Sequence, residues 1–147
     1  MFSKIIVGVD GSEPAQHAVR LACDLAKKYD SELHMVHTPK PETVAFALGA
    51  VSGYHVATTM PKPEDIEAAA EKIVTTAQDI AHEYGLDAVN HIGDGDPADD
   101  VVAFANDTGA DLIVTGRRGL GQVAGALMGS TSQRVSKNAR CAHLTVA

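Results

Sequence analysis

Lys4-Ile-Ile-Val-Gly-Val-Asp-Gly-Ser12 is an almost wholly apolar run that ends in turn residues. A strand wet on one face alternates apolar and polar residues, whereas one buried on both faces reads as a short continuous apolar run. The run therefore predicts a strand covered from both sides. Asp10-Gly11-Ser12 makes the turn, Ser12 is placed to cap a helix, and Pro14 suits a first helical turn. Ala15, Ala18, Val19, Ala22, Leu25 and Ala26 then recur at three- and four-residue spacing, the apolar face of a helix ending near Tyr29.

The same alternation continues along the chain. Leu33 to Thr38 predicts a second strand, stopped by Pro39 and Pro41. A long connection follows to residue 63, with a short helix expected over Ala45 to Val51. Glu64 to Tyr84 predicts the longest helix, with Ile66, Ala69, Ala70, Ile73, Ala77, Ile80 and Ala81 on its apolar face and Gly85 beyond its end. Ala88 to Ile92 is a third strand. A helix carrying Val101, Val102, Phe104 and Ala105 ends at Gly109, and Asp111 to Gly116 is a fourth strand. Ser130 to Asn138 reads as helix and His143 to Val146 as a last strand. Strands alternating with amphipathic helices predict parallel pairing by right-handed crossovers. The expected class is α/β: one doubly wound open sheet of about five mostly parallel strands with helices on both faces, in a single domain over residues 1–147.

Composition narrows the functional classes. The 147 residues carry 12 basic and 19 acidic side chains, a net charge of -7. That field disfavours nucleic acid and anionic membranes. Residues 43 to 60 lack Asp, Glu, Lys and Arg, but Gly49, Gly53, Tyr54 and His55 break the apolar run well short of the ~20 residues a span needs. The segment reads as a packed excursion or as a lid. The opening residues lack a secretory pattern, so a cytoplasmic protein is expected. Cys23 and Cys141 show no metal or redox spacing and read as reduced, packed thiols. The seven histidines show no metal spacing. Asp94, Asp96, Asp99 and Asp100 read as an acidic start to a helix, where carboxylates are stabilised.

The chemistry lies in Gly116-Arg-Arg-Gly119-Leu-Gly-Gln-Val-Ala-Gly-Ala-Leu-Met-Gly129-Ser130, which leaves a buried strand and enters a helix. Glycines permit positive φ and close approach of main-chain N–H groups to an anion. The N–H groups and positive dipole end of the helix beginning at Ser130 suit a polyphosphate. Ser130, Thr131 and Ser132 can add hydroxyls, and Arg118 can add charge. Gly119 to Ala124 also fits G-x-G-x-x-A, but it follows the fourth strand rather than the first, which argues against a Rossmann dinucleotide site. Asp10, at the end of the first strand, reads as a second prepared strand end or as a turn residue.

The spacing Gly116, two residues, Gly119, nine residues, Gly129, Ser130 resembles the ATP-binding signature of the universal stress protein family. Ile6-Val-Gly-Val-Asp-Gly-Ser12, Ala110-Asp-Leu-Ile-Val-Thr-Gly116 and Gly129-Ser-Thr-Ser-Gln-Arg-Val135 extend the resemblance over nearly the whole chain. It implies strand order 3-2-1-4-5 and adenine-nucleotide binding: ATP, or ADP or AMP, with magnesium accompanying the phosphates. Val9 and Asp10 match positions that meet adenosine, and Thr38 a backbone contact to adenine. Thr115 and Gly116 match the edge at the ribose and first phosphate. Gly119, Gly129, Ser130, Thr131 and Ser132 match the phosphate cradle. Arg117 replaces a small hydroxyl residue, Thr38 and Thr131 replace aliphatic ones, and Ala142-His143 replaces a Pro-apolar pair.

The resemblance implies a stress-response or regulatory module that forms homodimers or higher homo-oligomers and acts on a protein partner that the sequence does not name. With no Walker lysine and no arranged triad, catalysis is not expected. The alternatives are a slow ATP hydrolase using Asp10, and a dimeric interaction protein with an empty pocket.

Overall fold

The computed structural model describes residues 1–49, 61–121 and 125–147. Its elements run β1 (Lys4–Gly8), α1 (Glu13–Tyr29), β2 (Glu32–His37), α2 (Pro41–Ala47), α3 (Pro63–Glu83), β3 (Val89–Ile92), α4 (Pro97–Thr108), β4 (Leu112–Gly116), α5 (Ser130–Asn138) and β5 (Ala142–Val146). The strands form one sheet in the order β3-β2-β1-β4-β5, with every neighbouring pair parallel. The α/β class expected from the alternation of strands and helices and the 3-2-1-4-5 order implied by the family resemblance are both present.

The period-2 geometry of β1 explains how the sheet is covered. Ile5 and Val7 point to one face and Ile6 to the other, and all three are fully buried. Ile5 and Val7 join Leu33, Met35, Leu112 and Val114 in a core closed by α1 and α3. Ile6 joins Val36 and Ile113 in a second core closed by Val101, Ala105 and Val135 of α4 and α5. The helix faces on the first side are rich in alanine: Ala18, Ala22 and Ala26 on α1, Ala69, Ala77 and Ala81 on α3. Short side chains bring helix backbones close to the sheet, so a chain with few aromatic residues still fills its interior.

Local signals act where the residue types require. Ser12 accepts a hydrogen bond from the Ala15 N–H and caps α1. Asp96 caps α4 by accepting from Ala98 and Asp99. Gly109 ends α4 at φ +67, a conformation strained for residues with a Cβ.

One expected element is displaced. The short helix expected over Ala45 to Val51 begins earlier, as α2 at Pro41–Ala47. Pro41 does follow β2, but it sits in the first helical turn, where a missing N–H costs no hydrogen bond. The excursion or lid expected over residues 43 to 60 falls outside the described residues from 50 onward. Residues 122–124 of the G-x-G-x-x-A pattern are likewise outside them.

Among the described residues, no helix is long and apolar enough to cross a membrane. Cys23 is fully buried, and burial pushes its thiol up to about 11. Burial also raises the Cys141 thiol. His34 and His37 occupy opposite faces of β2: His34 packs on His91 and Phe104, while His37 donates from Nδ1 to the Val9 carbonyl at 2.8 Å.

Burial holds His37, His91 and His143 below the ordinary imidazole range by penalising the charged ring. A lowered native pKa means that the unfolded chain binds these protons first. Their contribution is complete above the unfolded value of about 6.5 and is lost as pH falls through it towards the native values. Thermal unfolding followed by circular dichroism should give a level midpoint from about pH 8 to 7 and a falling one below about 6.5. A midpoint that stays level or rises down to about pH 5 would contradict this assignment.

Candidate functional site

The site follows from the sheet order. β1 and β4 are neighbours, with Val7 opposite Val114. The chain leaving β1 enters α1 on one face, and the chain leaving β4 enters α5 on the other. Between two such strand ends an open α/β sheet has its crevice. A cleft with about 860 Å³ of empty space, part of it open to solvent, lies there.

Every residue singled out from the sequence lines this cleft: Val9, Asp10, Thr38, Thr115, Gly116, Arg118, Gly119, Gly129, Ser130, Thr131 and Ser132. Gly8, Val36, Lys40, Glu42, Thr43, Pro97 and Val101 are among the other lining residues. Arg117 is exposed and is not among them.

The glycines of the loop act chiefly through close approach. A Cβ on Gly116 would lie 2.9 Å from the Pro14 carbonyl carbon and 3.0 Å from the Ala15 nitrogen, so the loop begins with its main chain against the first turn of α1. A Cβ on Gly119 would lie 2.5 Å from Asp10 Oδ2. Gly129 donates its N–H to the Arg117 carbonyl at 2.7 Å, joining the two ends of the loop just before α5. Positive φ occurs at Gly125 but at none of Gly116, Gly119 and Gly129. The backbone freedom expected of those three is thus used for contact rather than for left-handed turns.

α5 begins at the cleft wall. Helix geometry leaves the N–H groups of Ser130, Thr131 and Ser132 without intrahelical acceptors, and the helix dipole makes this end positive. Gly129, at the cap position, offers no side-chain acceptor to quench them. Arg118 adds a formal positive charge to the same wall.

Asp10 is both a turn residue and a cleft residue. Its Oδ1 accepts from the Ser12 N–H at 2.9 Å and from Ser12 Oγ at 2.5 Å, which fixes the carboxylate. Its Oδ2 is the oxygen that faces Gly119. The main chain of Val9 is already engaged, with its N–H on the Val36 carbonyl and its own carbonyl on His37. Val9 therefore offers the cleft mainly apolar surface.

Two contributors were missed in the sequence. In the sequence Asp100 reads, with its neighbours, as part of a solvated helix start. Asp96 and Asp99 do pair with Arg134 on α5, each at 2.7 Å. Burial opposes ionisation of Asp96, but the Ala98 and Asp99 N–H groups and Arg134 hold its carboxyl below the ordinary range. Asp100 instead accepts from Thr38 Oγ1 at 2.7 Å and from the Gly95 N–H at 3.1 Å, tying the loop before α4 to the end of β2. His143 is the second. Its Nε2 lies 2.8 Å from Thr115 Oγ1, and its Nδ1 lies 2.8 Å from Ser136 Oγ. Thr115 Oγ1 is 3.2 Å from Ser132 Oγ, which donates to the Gly116 carbonyl at 2.6 Å. The departure at Ala142-His143 was the available signal, but it pointed only to the outer strand. Among the described residues, no group of three or more His, Cys, Asp or Glu side chains is arranged to hold a metal ion.

Comparison with known proteins agrees with the fold. A sequence profile described as the universal stress protein family matches residues 1–147. A universal stress protein of Methanocaldococcus jannaschii, MJ0531, is 30% identical over 146 residues, covering 99% of this chain and 82% of its own. Universal stress protein YxiE of Bacillus subtilis is also 30% identical, with 99% of both chains covered. Among solved structures, a universal stress protein in complex with cAMP superposes with a TM-score of 0.72 at 26% identity, covering 99% of this chain and 96% of that one. The chain belongs to the universal stress protein family.

Proposed function

We propose that the cleft binds an adenine nucleotide, with ATP the fitting ligand and ADP or AMP weaker ones, and that binding regulates the protein rather than feeding a reaction. The observation that carries this reading is the meeting of loop 116–119, Gly129 and the open end of α5 at the β1–β4 switch. The cradle is one that a Cβ would fill, since a side chain at Gly119 would run into the Asp10 carboxylate. The cAMP-bound relative supports an adenine ring and one phosphate in a cleft of this fold. The longer phosphate chain of ATP rests on the additional N–H groups and Arg118.

In this reading Val9, Val36 and Val101 pack the base, and Thr38, held by Asp100, fixes the far end. Asp10 and Thr115 border the ribose and first phosphate. Gly116, Gly119, Gly129, Ser130, Thr131 and Ser132 cradle the rest. Magnesium would arrive with the phosphates, with Asp10 the carboxylate nearest the loop, and would neutralise part of their charge. β5 lies at the edge of the sheet and leaves one flank of main-chain groups for a second copy. We propose a cytoplasmic homodimer whose shape or assembly answers to nucleotide, through different affinities of two states for the ligand.

Calorimetry with ATP, ADP, AMP and adenosine tests the site directly. Affinity should rise with each added phosphate, and ATP should bind tighter than about 1 mM. Gly119→Val and Gly129→Val should each weaken ATP by about tenfold or more, the first by crowding Asp10, while the unfolding midpoint stays near that of the parent. Equal affinity for ATP and adenosine, or variants that bind ATP like the parent, would put the phosphates elsewhere.

Gly116→Val should behave differently from those two. Its Cβ meets the α1 backbone, so the variant should lose about 1–3 kcal/mol of stability in denaturant titration as well as binding. Phosphate release with ATP in excess should show no sustained turnover. Turnover abolished by Asp10→Ala would replace the regulatory reading with a hydrolytic one. Light scattering should give twice the chain mass, and a monomer with or without ATP would remove the dimer from the proposal.

A further inference from the structure

We propose that His143 is the positioning residue of the phosphate cradle, and that proton uptake by its ring sets a positive charge behind the loop which tightens the hold on a phosphorylated ligand; this rests on the nucleotide reading of the cleft. The argument begins with counting protons. A hydroxyl has one proton to donate. Ser132 Oγ gives its proton to the Gly116 carbonyl at 2.6 Å, so at 3.2 Å it accepts from Thr115 Oγ1. Thr115 has then used its proton, and at 2.8 Å it accepts from His143. The Nε2–H tautomer follows from this count. In the neutral ring Nδ1 accepts from Ser136 Oγ at 2.8 Å.

The chain of donors runs in one direction, from His143 through Thr115 and Ser132 to the first carbonyl of the loop. Thr115 and Ser132 are both buried and both line the cleft. A buried hydroxyl without a partner costs free energy, so the ring fixes the rotamers of both. Ser132 in turn holds Gly116 against the first turn of α5, where the ligand-facing N–H groups are.

Protonation leaves this chain intact. Nε2–H still donates to Thr115, and Ser136 alone must turn its hydroxyl to accept from Nδ1–H. Ser136 is exposed, so its proton can pass to water.

The groups hydrogen-bonded to the ring carry no charge: Thr115 from β4 and Ser136 from α5. On the far side of β5, α1 brings His17 to the Ala147 carbonyl, with Glu13 as the partner of His17. Lys137 and Arg140, at the end of α5 and beyond it, are exposed. Burial is what opposes the charged ring. A bound phosphate adds a negative charge on the other side of Thr115 and Ser132. By linkage, the factor by which phosphate raises the affinity of the ring for a proton is the factor by which the proton raises the affinity for phosphate.

The test is calorimetry of ATP and adenosine between about pH 8 and 5.5 on the parent, His143→Gln and His143→Val, with an NMR titration of the His143 ring with and without ATP. ATP titrates in the same range, so the result is the parent compared with His143→Gln, which keeps a donor and an acceptor but no ionising ring. On acidification the parent should gain about three- to tenfold in ATP affinity over His143→Gln, with adenosine unaffected. The ring pKa should rise by the matching amount when ATP is added. At pH 8, ATP should bind His143→Val about fivefold more weakly or worse, with partial rescue in His143→Gln. Coincident pH profiles for the parent and His143→Gln, or a ring titration unmoved by ATP, would overturn the proposal while leaving nucleotide binding in place. If ATP fails to bind the parent at any pH, the nucleotide reading falls and this one with it. Should His143→Val not fold, the glutamine variant and the ring titration still decide.

Discussion

Parallel pairing of β1 with β4 is the constraint on which the rest depends. Each strand ends at the same rim, and each is followed by a helix on the opposite face. The two exits lead to helices on opposite faces, and the start of the loop after β4 lies against the turn that follows β1. The cleft is thus a consequence of chain direction, and side chains only furnish it. The same pairing brings Asp10 beside a loop over a hundred residues later in the sequence. It also explains why small residues stand here: Gly116 lies against the backbone of α1, and Gly119 against the Asp10 carboxylate.

Strand and helix were legible wherever burial imposed a period. Lys4 to Gly8 reads as doubly covered because both faces of β1 are inside. Ser130 to Asn138 reads as a helix with the same bounds that the structure gives it. Pro41 reads as a strand stop, yet it stands four residues past the end of β2 and opens α2, where its lack of an N–H costs nothing. A proline gives the place of a boundary but not which side of it is helical.

The cleft was legible through glycine spacing and family resemblance, and the side chains behind it were not. Nothing local ties Thr115 to His143 or Thr38 to Asp100. Their contacts depend on strand register, with Ile113 opposite His143 and Thr115 opposite Thr145, and on how α4 sits over the sheet. Polar residues that support a site from behind carry no periodicity of their own. They become visible only once the neighbouring strand is known, and here they include His143 and Asp100, which hydrogen-bond the cleft residues Thr115 and Thr38.

The buried thiol of Cys23 has a consequence for how the molecule meets oxidants. Peroxides attack thiolate rather than thiol, and with the group pushed up to about 11 only on the order of one Cys23 in ten thousand is ionised at neutral pH. Cys141 is raised in the same direction. Sulfenic acid formation should therefore be slow at both sulfurs, and the two thiols should outlast a low-pKa cysteine in the same oxidising surroundings.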